Sequence, residues 1–154
     1  MPAKTVFEGT GAVRAAVGQH LGYSDWLEID QERVNLFADA TGDHQWIHVD
    51  VERAKAESPF GGPVAHGYLT LSLVSYFMPQ IVSVQGISLG INYGLNKVRF
   101  PAPVPVGSRI RAGGQLAEAT DIDGGVQVTV VVTVEREGSD KPVCVAESLS
   151  RFMD

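Results

Sequence analysis

An acidic and a basic side chain lie close together in the sequence, and together they could move protons to and from a substrate. Asp43 precedes His48 by five residues, and Gly42 with the polar residues after it is typical of a turn that leaves a helix. Gly67 follows and begins the longest apolar stretch of the chain. Because a helix N-terminus stabilises negative charge, the three features together indicate an active site.

Each of these residues also has an ordinary structural explanation. An aspartate that follows a glycine is often only a turn or cap residue, and an isolated histidine is often structural. Gly67 could simply begin a helix, and His66 could support the turn beside it without taking part in chemistry. The residues alone leave both interpretations open.

Helices are predicted in the first half of the chain, where these candidates lie. Asp30 is suited to cap the helix that leads to Asp43, and Gly42 is suited to end it. The last helix is apolar on nearly every side, so we expect it to be buried, with Pro79 ending or kinking it. The predicted helices span Thr10 to His20, Gln31 to Thr41, Val49 to Ser58 and His66 to Ile81.

Long strands are predicted in the second half. The clearest has valines at every second position from Val128 to Val134, which form one face. A shorter edge strand is predicted from Tyr23 to Asp30. The long strands are predicted at Ile87 to Phe100, Arg109 to Ala119, Val126 to Glu137 and Val143 to Phe152. One buried helix against consecutive antiparallel strands is an α+β layout in which the sheet wraps the helix, and residues 1–154 form a single domain.

Composition narrows the class of protein. The chain has 154 residues, 44% of them hydrophobic and 19% charged, as in one soluble globular domain. A net charge of −6 argues against nucleic-acid binding, which needs a basic patch. Without a signal peptide or about 20 consecutive apolar residues, the expectation is a cytoplasmic protein without membrane association. Cys144 is the one cysteine, so no intrachain disulfide can form and a buried structural thiol is expected.

Two motifs resemble those of a known family. Residues 42–50 read GDHQWIHVD, and residues 63–67 read PVAHG. They resemble the MaoC-like dehydratases, which include the (R)-specific enoyl-CoA hydratases and carry G-D-x-N-P-x-H-x-D, a helix and then P-[IV]-[VA]-H-G. The resemblance continues through residues 92–100 and 103–107, and it covers most of the chain from about residue 30 onward. Gln45 and Trp46 replace the Asn-Pro of the family, a departure that bears on loop shape and acyl-chain preference.

The resemblance implies a fold and an activity. The fold would be a hot-dog, a curved antiparallel sheet around a central helix, in a homodimer whose two sheets join edge to edge. The activity would be reversible hydration of trans-2-enoyl-CoA to (R)-3-hydroxyacyl-CoA. By the resemblance, neither a metal nor a redox cofactor is required, and CoA is part of the substrate.

In that reaction Asp43 and His48 would hold one water molecule between them. One residue takes its proton as the oxygen attacks C3, and the other orients the water or returns a proton to C2. The sequence does not decide which residue does which. The backbone N–H of Gly67 would stabilise the negative charge on the thioester oxygen.

The resemblance also suggests residues that bind substrate. Ser72 would place a hydroxyl near the catalytic pair, although a helical serine often bonds back to the preceding turn instead. Arg99 could meet CoA phosphates or remain a solvated surface residue. The full set of substrate-binding candidates is Ser72, His66, Trp46, Asn92, Tyr93, Asn96 and Arg99.

Two alternative functions stay open. Hot-dog acyl-CoA thioesterases commonly carry a catalytic acid on the central helix, and the acyl-carrier-protein type of dehydratase places its acid there too. Residues 68–85 contain no acidic residue, which weakens both of these alternatives. A non-catalytic acyl-thioester-binding module is the other alternative, and the replacement at Gln45 and Trp46 keeps it open.

Overall fold

The computed structural model describes residues 2–154, which contain six helices and eight strands. In chain order they are β1 (Thr5–Glu8), α1 (Thr10–Ala15), β2 (His20–Tyr23), β3 (Leu27–Glu28), α2 (Gln31–Thr41), α3 (Trp46–Val49), α4 (Val51–Glu57), α5 (Gly67–Ser72), α6 (Val74–Ile81), β4 (Val82–Gln85), β5 (Leu89–Arg99), β6 (Arg109–Ile122), β7 (Gly125–Arg136) and β8 (Cys144–Met153).

The main sheet is antiparallel and has the order β2-β6-β7-β8-β5, with β3 also paired to β6. Its centre is β7, whose residue Val132 lies opposite Gly114 of β6 and Ala146 of β8. The alternating valines from Val128 to Val134 are all buried on one face, as their spacing predicts. A smaller parallel pair joins β1 to β4.

Helices α5 and α6 pack across the buried face of this sheet. Leu69, Leu73, Phe77 and Ile81 follow one another at intervals of four residues, and all are buried. They share one core with sheet residues Ile110, Ala112, Leu116, Val128, Val130, Val132, Val134 and Ala146. The predicted α+β layout, with a buried helix against a sheet, is confirmed.

The four long strands and α2 lie close to their predicted bounds. Helix α2 begins after Asp30, whose carboxylate accepts the N–H of Arg33 at 2.9 Å. It ends at Gly42, which has a left-handed φ of 79°. Each end of the helix is therefore formed by a hydrogen bond between residues three or four positions apart, which is why the sequence predicts both ends.

The central helix is interrupted, contrary to the single helix predicted from His66 to Ile81. The chain turns at Leu73, and the hydroxyl of Ser72 donates to the carbonyl oxygen of Tyr68 at 2.6 Å. Such back-bonding bends helices, which accounts for a break at this point. Pro79 does not interrupt α6, which continues to Ile81.

Three further expectations differ from the structure. The first helix ends at Ala15, five residues early, because the chain reverses at Gly18 with a φ of +95°. The strand predicted from Tyr23 to Asp30 is replaced by the shorter β2 and β3. The parallel pair of β1 and β4 was not predicted, since four-residue strands carry little periodicity. Within residues 2–154 no helix has both the length and the apolar character needed to cross a membrane.

Cys144 should be chemically inert in the folded protein. It is buried at the start of β8, and this burial raises the pKa of its thiol from 9.0 to about 11. We expect the native protein at pH 8 to react with an aromatic disulfide reagent about a hundredfold more slowly than the denatured protein, because the thiolate is the nucleophile. A Cys144→Ala/Asp140→Cys variant, with its thiol in an exposed turn, should react fully when native. Equal rates in native and denatured wild-type protein would contradict the prediction.

Candidate active site

Asp43 and His48 lie on the connection between α2 and α4. The left-handed turn at Gly42 ends α2, so Asp43 is the first residue of the loop. His48 lies on α3, a single helical turn. Gln31, in the first turn of α2, donates its side-chain N–H to the carbonyl oxygen of His48 at 2.8 Å and fixes α3 against α2.

A backbone carbonyl group determines the tautomer of His48. Its Nδ1 lies 2.7 Å from the carbonyl oxygen of Val64, which can only accept a hydrogen bond. Nδ1 therefore carries the proton, and Nε2 of the neutral ring presents a lone pair. This tautomer can accept a proton from a bound water molecule.

His66 connects the two catalytic candidates. Its side chain is 3% exposed, and its Nε2 lies 3.0 Å from the carbonyl oxygen of Asp43. Its ring stacks on that of His48, with centroids 3.9 Å apart and planes inclined by 25°. The Nδ1 of His66 is buried and has no hydrogen-bond partner among the described residues.

The Asp43 carboxylate lies at the open side of this cluster. Its side chain is 51% exposed, and its Oδ2 lies 4.0 Å from Nε2 of His66. Polar side-chain atoms of Asp43, His48 and His66 lie within 4.8 Å of one another. One water molecule can bridge groups at such a separation.

The same three side chains are of the types that bind metal ions, but the stacked rings suit an ion poorly. A histidine binds zinc along its ring plane at about 2.0–2.1 Å. The planes of His48 and His66 are nearly parallel, so their lone pairs cannot meet at one ion without rotation of a ring. The expectation that no metal is needed stays a prediction.

Gly67 lies beside an apolar cavity of about 450 Å³. It is the first residue of α5, where N–H groups have no acceptor within the helix, so its N–H is free of intrahelical bonds. A Cβ at this position would come within 3.3 Å of the Phe100 ring. Neither Asp43 nor His48 is among the residues that line the cavity: Phe60, Ala65, Gly67, Thr70, Phe100, Pro101, Ala102, Pro103, Val104 and Val143.

Ser72 and Trp46 make contacts other than those proposed for substrate. Ser72 is exposed, its hydroxyl is bonded to Tyr68, and it lines neither this cavity nor a second one of about 320 Å³. Ser75, which is not among the substrate-binding candidates predicted from the sequence, lines the second cavity. The Trp46 ring stacks under the guanidinium of Arg53 at 4.3 Å.

The other candidates lie together on the edge strand β5. Asn92 lines the second cavity. Tyr93 lies 3.6 Å from the guanidinium of Arg151, and Arg99 donates to the carbonyl oxygen of Val98 at 2.7 Å. Asn96 is exposed. Within residues 2–154, no hydrogen bond joins Asn92, Tyr93, Asn96 or Arg99 to Asp43, His48 or His66.

Two contributors to the site carry little sequence signal. Gln31 precedes His48 by 17 residues, outside both motifs. Val64 acts through its carbonyl oxygen, which every residue type has. The PVAHG motif could have directed attention to this segment, but not to that atom.

Comparison with known proteins gives concordant results. A family model described as "MaoC like domain" matches residues 12–138. The chain is 60% identical over 148 residues to "3-hydroxyacyl-thioester dehydratase Z" of Mycobacterium tuberculosis, which covers 96% of this chain and 97% of that protein.

Two solved structures share the fold. A "monoamine oxidase regulatory protein" from Archaeoglobus has a TM-score of 0.80 and 25% identity, and the match covers 99% of this chain and 97% of that one. The unliganded R-hydratase PhaJ1 of Pseudomonas aeruginosa has a TM-score of 0.74 and 24% identity, over 90% and 82% of the two chains. The hot-dog architecture expected from the sequence is confirmed.

His44, next to Asp43, should titrate above the ordinary histidine value of 6.5. Its Nε2 lies 3.0 Å from Asp39, and this hydrogen bond raises the pKa of His44. The bond stabilises the charged ring, so its full effect is present below pH 6.5 and is lost as pH rises through the raised pKa. We expect the NMR titration midpoint of His44 to fall in the Asp39→Asn variant. Identical midpoints in the two proteins would contradict this.

Proposed function

The chain belongs to the MaoC-like domain family, and from that premise we propose that it is a 3-hydroxyacyl-thioester dehydratase. It reversibly hydrates trans-2-enoyl-CoA to (R)-3-hydroxyacyl-CoA. The observation that carries the proposal is the convergence of the Asp43 carboxylate with a neutral His48 whose Nε2 makes no hydrogen bond within residues 2–154. The high identity with the mycobacterial dehydratase over nearly the whole chain supports it.

His48 is the base in this proposal. Its Nε2 takes a proton from water as the water oxygen bonds to C3, while the Asp43 carboxylate accepts the second O–H and orients the molecule. The protonated His48 then gives its proton to C2. One O–H bond breaks, C3–O and C2–H bonds form, and the enzyme returns to its starting state without a metal or redox cofactor.

Gly67 stabilises the charge that develops on the thioester oxygen. Its N–H, at the first turn of α5, has no acceptor within that helix and donates to this oxygen. Loss of one such donor in other enzymes costs about 3–4 kcal/mol of transition-state stabilisation. The apolar cavity beside Gly67 gives the apolar part of a thioester substrate a place next to the reacting group.

The edge strand β5 supports a homodimer. It has eleven residues, its outer edge is unpaired within residues 2–154, and Leu89, Ile91, Tyr93 and Leu95 on it are exposed. A long apolar edge invites pairing with another strand. In the dimer that we propose, β5 pairs with β5 of a second copy, and the two sheets become one.

Turnover should depend on both Asp43 and His48. We expect purified protein to remove the ultraviolet absorbance of crotonyl-CoA or of a longer enoyl-CoA. Asp43→Asn and His48→Gln should each lower kcat about 10²–10⁴-fold, because each loses proton transfer or water orientation. Asp140→Asn and His20→Gln change the same residue types at exposed positions and should leave kcat unchanged. Release of free CoA thiol would identify a thioesterase, and binding without turnover would identify a binding module.

The dimer is tested by light scattering coupled to gel filtration. The wild type should have twice the chain mass of 16.5 kDa. An Ile91→Lys/Leu95→Lys variant should be monomeric, because it places charge on the edge that pairs. Leu36→Lys changes an apolar residue on α2 that is 63% exposed, and it should leave the dimer intact. A monomeric wild type would contradict the proposal.

A further inference from the structure

His66 is a buried side chain that contacts both members of the catalytic pair. It donates from Nε2 to the carbonyl oxygen of Asp43 at 3.0 Å, and its ring covers one face of His48 with centroids 3.9 Å apart. Phe37 closes another side, edge-on at 4.9 Å. A shift of His66 would therefore displace both the acid and the base.

The hydrogen bonds of His66 fix its charge as well as its position. The carbonyl oxygen of Asp43 can only accept, so Nε2 carries the proton in the neutral ring. A second proton on Nδ1 would create a buried N–H without an acceptor, which is unfavourable.

Two titratable groups face His66, namely His48 and the Asp43 carboxylate. The nearer carboxylate oxygen, Oδ2, lies 4.0 Å from Nε2, on the nitrogen that already carries a proton. It therefore gives Nδ1 no acceptor, and as it is half-exposed, solvent screens its charge. Once His48 is protonated, its ring, which stacks on that of His66, would repel a second positive charge.

We propose that His66 is a positioning residue that stays neutral while His48 takes up and releases a proton. This inference rests on the function proposed above. A neutral His66 leaves protonation of His48 unopposed, whereas a charged His66 would oppose it by repulsion between like charges. The bond to Asp43 holds the loop that carries the carboxylate, so His66 sets the distance between acid and base.

The tautomer can be measured without turnover. Long-range ¹H–¹⁵N correlations of the unmodified protein, recorded at the pH of the activity assay, should show His66 as a neutral ring with its proton on Nε2. Either a proton on Nδ1 or a doubly protonated ring would overturn the proposal. The spectrum needs no variant, so it decides the point even where a substitution prevents folding.

Two substitutions separate the hydrogen bond from the stack. His66→Phe keeps a ring on His48 but loses the donor, and His66→Gln keeps an N–H donor but loses the ring. Each should lower kcat about tenfold to a hundredfold with KM nearly constant, because misplaced groups slow the chemical step.

The outcomes distinguish this inference from the proposed function. His20→Phe, at an exposed position, is the matched control and should keep wild-type kinetics. A merely structural His66 would lower thermal stability while kcat per folded molecule stayed constant, which would overturn the inference alone. Wild-type protein that does not hydrate enoyl-CoA would instead contradict the proposed function, and with it the catalytic role of His66.

Discussion

The site depends on the hydrogen bond from Nδ1 of His48 to the carbonyl oxygen of Val64. This bond selects the tautomer of His48 and attaches α3 to the segment that leads into the central helix. The segment is itself held by backbone hydrogen bonds, since Ala65 donates to Val104 and Val106 donates to Pro63. Val104 is part of the core, so the base is connected to the core through two consecutive hydrogen-bonded steps.

Burial differs sharply between the acid and the histidines, and this difference suits their roles. The Asp43 carboxylate is half-exposed, so water solvates it. His66 is buried, but its ring is neutral, and the only destabilising feature is that its Nδ1 has no hydrogen-bond partner among the described residues. The break at Leu73 separates α5, which begins at Gly67, from α6, which fills the core. The first turn of α5 can therefore be aimed at the site without disturbing the packing of Phe77 and Ile81.

Features with a local cause could be predicted from the sequence, and features with a long-range cause could not. Asp30 and Gly42 bound α2 as expected, because caps bond to residues three or four positions away. The valines of β7 revealed their strand through simple alternation. The pairing of β1 with β4 joins residues far apart in the chain, and strands of only four residues have too little periodicity to predict it. The motif predicts Asp43, His48 and His66 as site candidates, but the tautomers of the two histidines depend on backbone carbonyl groups that no side chain indicates.

The loop that has Gln45 and Trp46 in place of Asn-Pro is restrained by contacts of its own. Trp46 is the first residue of α3, a position that favours proline because its missing N–H is not needed and its φ is fixed. Here rigidity comes from contacts instead. The Trp46 ring stacks on Arg53 at 4.3 Å, and Glu57 holds that guanidinium at 2.7 Å. The carbonyl oxygen of Trp46 also accepts the N–H of Asp50 at 2.9 Å, which closes the turn around His48. An aromatic–cation stack thus connects the loop to α4 at the position where the motif of the family has proline.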